Sequence, residues 1–111
     1  MAFDEPLAER IRATLSRRRG VTEKEMFGGV AFLVNGHMFC GVNKDDLVVR
    51  VGPDAWARAL SKKHARPMDF TGRPLSGYVY VAPPGVRTSA SLKAWLDQGL
   101  RFARTLPPRA H

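Results

Sequence analysis

The side chains best suited to hold a metal ion are His37, His64, His111 and the single Cys40. The three histidines are far apart along the chain and show no ligand spacing, whereas a zinc site draws its ligands from closely spaced pairs. Cys40 lies inside an apolar β run, so it reads as a small buried residue rather than a nucleophile. Ser16, Ser61, Ser76, Ser89 and Ser91 fall at expected helix ends and turns, outside any nucleophile-elbow sequence. Asp45-Asp46 belongs to a tight turn, and Asp54 reads as a helix cap. Gly28-Gly29 precedes a strand, while a phosphate-cradling loop delivers its glycines to a helix N-terminus. These residues assemble no catalytic constellation, and the expectation is a protein that is not an enzyme, with no metal and no cofactor.

Basic side chains offer a second kind of chemistry. Arg58, Lys62, Lys63 and Arg66 form one group, and Lys93, Arg101 and Arg104 another, each anchored on an expected helix where it could follow a phosphate backbone. The formal net charge is +8. Residues 1–46 hold seven Lys/Arg and seven Asp/Glu, so residues 47–111, with eleven against three, supply the whole excess. Such an asymmetry marks either a polyanion contact or a solvated, Arg-rich surface. Tyr78 and Tyr80 share a strand face and could stack bases or pack in the core or an interface. No helix-turn-helix, RRM or zinc-finger pattern accompanies them.

The elements that must position these groups begin with an N-terminal helix. Asp4 caps it, Pro6 sits in its first turn, and Leu7, Ile11 and Leu15 form one apolar stripe to about Arg17. Arg17-Arg18-Arg19 then meets the negative end of the helix dipole or, alternatively, touches phosphate, and Gly20 stops the helix. Val21–Met26 can extend into a sheet without clearly counting as a strand. Asn35-Gly36 suits a two-residue type I′ turn. It sets Val34 opposite His37, Leu33 opposite Met38 and Phe32 opposite Phe39. One hairpin face then carries Val30, Phe32, Val34 and Phe39, and the other Ala31, Leu33, Met38, Cys40 and Val42. Both faces are apolar, so each needs a cover.

Leu47–Val51 forms the next strand, and a short helix runs from Asp54 to about Lys62. Pro67–Phe70 and Gly77–Ala82 are strands. A last helix, capped by Ser89 or Ser91, reaches Leu106 with a broad apolar arc. The order αβββαββα makes an α+β, two-layer domain with a mainly antiparallel five-stranded sheet. The domain spans 1–106, and 107–111 reads as a disordered tail. The acidic start lacks a signal peptide, and no apolar run approaches the roughly 20 residues that span a bilayer. A cytoplasmic protein without membrane association is expected.

Met26-Phe27-Gly28-Gly29, the apolar strand after it, Asn35-Gly36, Met38-Phe39 and Leu47–Arg50 resemble the signature of the TfoX N-terminal domain family. Phe70-x-Gly72-Arg73, the Tyr78–Pro83 strand and a closing helix with Leu92, Trp95 and Leu96 continue the likeness over nearly the whole chain. The resemblance implies a secretion-chaperone-like fold in which dimers are common, and a regulator of the bacterial competence (TfoX/Sxy) kind, a transcriptional co-activator. Met26, Phe27, Gly28, Gly29, Asn35 and Gly36 match as structural positions, with no catalytic residue to carry over. The competence regulators carry a second, helical domain, so this sequence reads as a stand-alone, single-domain member. The resulting expectation is a regulatory or adaptor domain working through protein contacts. It pairs as a homodimer through Val30, Phe32, Val34 and Phe39. The alternative is a nucleic-acid-associated factor using the basic C-terminal half.

Overall fold

The computed structural model describes residues 3–26, 28–69 and 72–108. Asp4 accepts a hydrogen bond from the Leu7 amide at 3.1 Å and opens α1 (Glu5–Leu15). Four strands follow without a break: β1 (Val21–Met26), β2 (Gly29–Val34), β3 (His37–Asn43) and β4 (Asp46–Arg50). The short α2 (Trp56–Leu60) leads to β5 (Ala65–Asp69) and β6 (Pro74–Val81). A 3-10 turn over Pro83–Val86 leads into α3 (Ser89–Ala103). The six described strands form one sheet in the order β1-β2-β3-β4-β6-β5, with every pairing antiparallel.

The α+β class and the antiparallel sheet agree with the sequence, but the strand count is six and not five. Val21–Met26 is a full edge strand, paired along its whole length with β2. β6 starts three residues before the expected Gly77, and Phe70 lies outside the described residues. Thr88, not Ser89 or Ser91, caps α3 by accepting from the Ser91 amide at 3.0 Å. Asp54 caps nothing, because α2 starts after Ala55 without a side-chain cap. α1 ends at Leu15 and α3 at Ala103, each shorter than expected.

Asn35 and Gly36 take the positive φ values, 53° and 81°, that the tight turn needs. Val34 pairs with His37 and Leu33 with Met38 as expected, but Phe32 pairs with Cys40. Phe39 is therefore the extra residue of a β-bulge, which resets the parity of everything after it. Cys40 and Val42 consequently share the face of Phe32 and Val30, a correction to the hairpin faces drawn above.

Register partners lie on the same side of a sheet, so the pairings define rows across it. One row runs Glu25, Val30, Val42, Leu47, Val81, Ala65, and the next Glu23, Phe32, Cys40, Val49, Val79, Pro67. Their central members form one core with Leu7, Ile11 and Leu15 of α1, Ala59 of α2, and Leu92, Leu96 and Leu100 of α3. Fully burying a side chain such as Phe32, Phe39 or Leu96 contributes about 1.5–3 kcal/mol. All three described helices thus cover the same face of the sheet.

Candidate functional site

The opposite face is read from the intervening row, which crosses all six strands as Lys24, Ala31, Gly41, Val48, Tyr80, Arg66. Its centre is built of small residues, which lowers the floor of the sheet between larger neighbours. Met26, Met38, Met68, Leu75 and Tyr78 stand around that floor and leave an apolar groove of about 120 Å³. Ala31, Val48 and Met68 are buried at its base, while Met26, Met38 and Tyr78 are half-buried. Leu75, at 40% exposure, is the large apolar side chain left most open among the described residues. Among those residues, no helix packs on this face.

Lys24 on β1 and Arg66 on β5 stand at the two ends of the row, and Arg50 on β4 lies beside Tyr78. The Arg66 guanidinium donates to Asp46 Oδ2 at 2.6 Å and lies 4.8 Å from the Tyr80 ring centroid. Arg50 lies 5.5 Å from the ring centroids of both Tyr78 and Phe102. Burial pushes the Tyr80 hydroxyl above its ordinary range. The groove is small beside the roughly 300 Å³ and more that a small-molecule site occupies. Its lining supplies adaptable thioethers and few polar groups. It can receive an apolar side chain far better than it can do chemistry.

Val30, Phe32, Val34 and Phe39, expected as an interface, are each at most 3% exposed beneath this chain's own helices. The bulge and the helix layer give that face its cover, so the sheet face without a described helix is the other one. Met26 lines the groove, and Gly28-Gly29 leads into β2 beside it. Phe27 lies outside the described residues, as does His111.

The seven basic residues do not share one surface. Arg66 faces the groove side, tied to Asp46, while Lys62 at the end of α2 sits 4.9 Å above the Trp95 ring. Arg58 and Lys63 are exposed near Lys62. Lys93 is paired with Asp97, and Arg101 and Arg104 line a shallow hollow beside α1. His37 Nε2 donates to the Pro107 carbonyl at 2.7 Å, and His64 is exposed. Cys40 is fully buried, and burial pushes its thiol well above the ordinary range. The Ser16 and Ser61 hydroxyls donate to carbonyls of their own helices. Among the described residues no three His, Cys, Asp or Glu side chains gather as a metal site. No described helix is long and apolar enough to cross a membrane.

The alternation of Gly77–Ala82 puts Tyr78 with Tyr80, but nothing in the sequence joins them to Val48 and Met38. Alternation within each strand was legible, but which strands lie side by side was not. Met68 falls in the expected strand Pro67–Phe70, whereas Leu75 reaches the groove because β6 begins at Pro74, ahead of the expected Gly77. A model of the TfoX N-terminal domain matches residues 13–103 of the chain. No curated protein matches it.

Proposed function

The chain belongs to the TfoX N-terminal domain family, and from that premise we propose that it is a non-enzymatic regulatory or adaptor domain acting through protein contacts. The role is of the competence-regulator kind that the family implies, exercised in the cytoplasm. The observation carrying this reading is the helix-free sheet face, with its small-residue floor, its methionine walls and the exposed Leu75. Its centre is apolar and Lys24 and Arg66 stand at its ends, the layout of a contact surface with a polar rim.

The occupant we assign is a second copy of the chain, packed face to face. Edge pairing is the competing route to a dimer, and the sequence of β1 opposes it. Centring two antiparallel β1 edges on Lys24 sets that lysine against its own counterpart and Glu23 against Glu25, like charges directly opposed. A symmetric face-to-face pair covers both apolar centres at once.

Size-exclusion chromatography with light scattering tests this at micromolar concentration. The expected mass is twice the 12.3 kDa of the chain, and Leu75→Glu with Met38→Glu restores the single-chain mass. A wild-type monomer, or a dimer indifferent to both substitutions, overturns the assignment.

A further inference from the structure

Arg17, Arg18 and Arg19 follow α1, Arg101 and Arg104 belong to the C-terminal end of α3, and the fold brings the two groups together. Arg104 Nη2 donates to the Arg19 carbonyl at 3.3 Å. Arg18 Nη2 donates to Asp97 Oδ1 at 2.9 Å, and Lys93 Nζ to Asp97 Oδ2 at 2.7 Å. Arg18, Asp97, Leu100, Arg101 and Arg104 line a shallow, open hollow of about 340 Å³. One carboxylate therefore serves two of six cations. Among the described residues, Arg17, Arg19, Arg101 and Arg104 have no carboxylate partner.

We infer that this arginine surface contacts the phosphate backbone of duplex DNA. Guanidinium matches phosphate with two parallel donors, and the unpaired Arg101 and Arg104 guanidinium groups beside Arg18 at one hollow repel one another until anions reach them. Lys93 to Arg104 spans about 16 Å of helix at 1.5 Å per residue. A duplex presents a phosphate charge about every 1.7 Å of its axis, so several lie within reach at once. Single strands are held by exposed aromatic platforms. Here Trp95 is 6% exposed, and Phe102 is turned toward Gly52 and Arg50. Contact is therefore with the backbone and indifferent to sequence. The surface lies on the helix layer, so the inference stands or falls independently of the sheet-face dimer.

Fluorescence anisotropy of a labelled 20-base-pair duplex with the full chain, from 50 to 200 mM salt, tests it. Four unpaired cations give an expected slope of log K against log salt of about −3.6. Arg101→Glu with Arg104→Glu brings the slope toward about −1.8 and weakens binding at least tenfold at 50 mM salt. Asp97→Asn releases Arg18 and Lys93 and tightens binding. Arg58→Glu with Lys63→Glu, on the α2 side, leaves binding within about twofold of wild type, and circular dichroism verifies that each variant is folded. Undetectable binding at 50 mM overturns the inference. So does unchanged binding by the Arg101/Arg104 variant, an equal loss in the Arg58/Lys63 variant, or a single strand held as tightly as the duplex.

Discussion

Gly99 of α3 lies so close to Phe39 of β3 that a β-carbon on it would stand 2.5 Å from the Phe39 carbonyl oxygen. The bulge that sets Phe39 in the core is thus roofed by the one α3 position without a side chain. Helix propensity alone favours alanine at Gly99 by about 1 kcal/mol. The contact is with backbone and cannot yield by a rotamer change, and Val49 Cγ1 at 3.2 Å closes the other side. Overpacking against backbone at 2.5 Å costs about 2–3 kcal/mol, the upper part of the usual range, which outweighs that gain. Gly99→Ala is expected to lower urea stability by about 1–2 kcal/mol. A stabilised variant would mean that α3 stands off the sheet.

Cys40 sits under the same roof, fully buried beside Phe32 and Val49. With its thiol pushed up by burial, almost no thiolate is present near pH 8, and reagents cannot reach it. A disulfide reagent is expected to titrate one thiol in the urea-unfolded chain and none in the native chain over the same minutes. Rapid native modification would place Cys40 at the surface. Cys40→Ser should destabilise by about 1–3 kcal/mol by burying a hydroxyl without a partner.

Asp97 joins α3 to the segment after α1 and gives stability a pH dependence. Partial burial pushes its carboxyl up, but hydrogen bonds and charge from Lys93 and Arg18 together outweigh this and hold it below the ordinary range. A carboxyl depressed in the folded state contributes stability that is fully present above its unfolded value. That contribution is lost as pH falls through the folded value. The stability difference between wild type and Asp97→Asn should be constant from pH 7 to about 5 and shrink below about pH 4. Urea titrations at several pH values measure it, and a difference that persists unchanged to pH 2 contradicts the ion-pair account.

Much of this architecture is legible in residue order, and particular residues show where legibility stops. Asp4, Pro6 and the Leu7, Ile11, Leu15 stripe specify α1, and Asn35-Gly36 specifies a turn whose first two pairs match. The bulge at Phe39 has no composition signal, and one inserted residue moves each later side chain to the other face. That single event reassigned Cys40 and Val42 and concealed which face the helices cover. Val21–Met26 hid for a different reason. Edge strands carry charge to discourage pairing, so Thr22-Glu23-Lys24-Glu25 lacks the apolar alternation of a strand. Arg12 of α1 holds Glu23 from the helix side, with the Glu23 carboxyl drawn down by that hydrogen bond. Arg18 and Asp97, 79 residues apart, meet only through the fold.

The helix-free sheet face is proposed as the place where a second copy of the chain docks. Methionine ε-methyl NMR tests this most directly, because Met26, Met38 and Met68 all line the groove. In a mixture of isotopically labelled and unlabelled chains, the account predicts intermolecular contacts from the Met26 and Met38 methyls that vanish on dilution or with Leu75→Glu. Methyl signals that show no intermolecular contact and do not shift across a hundredfold range of concentration would contradict it.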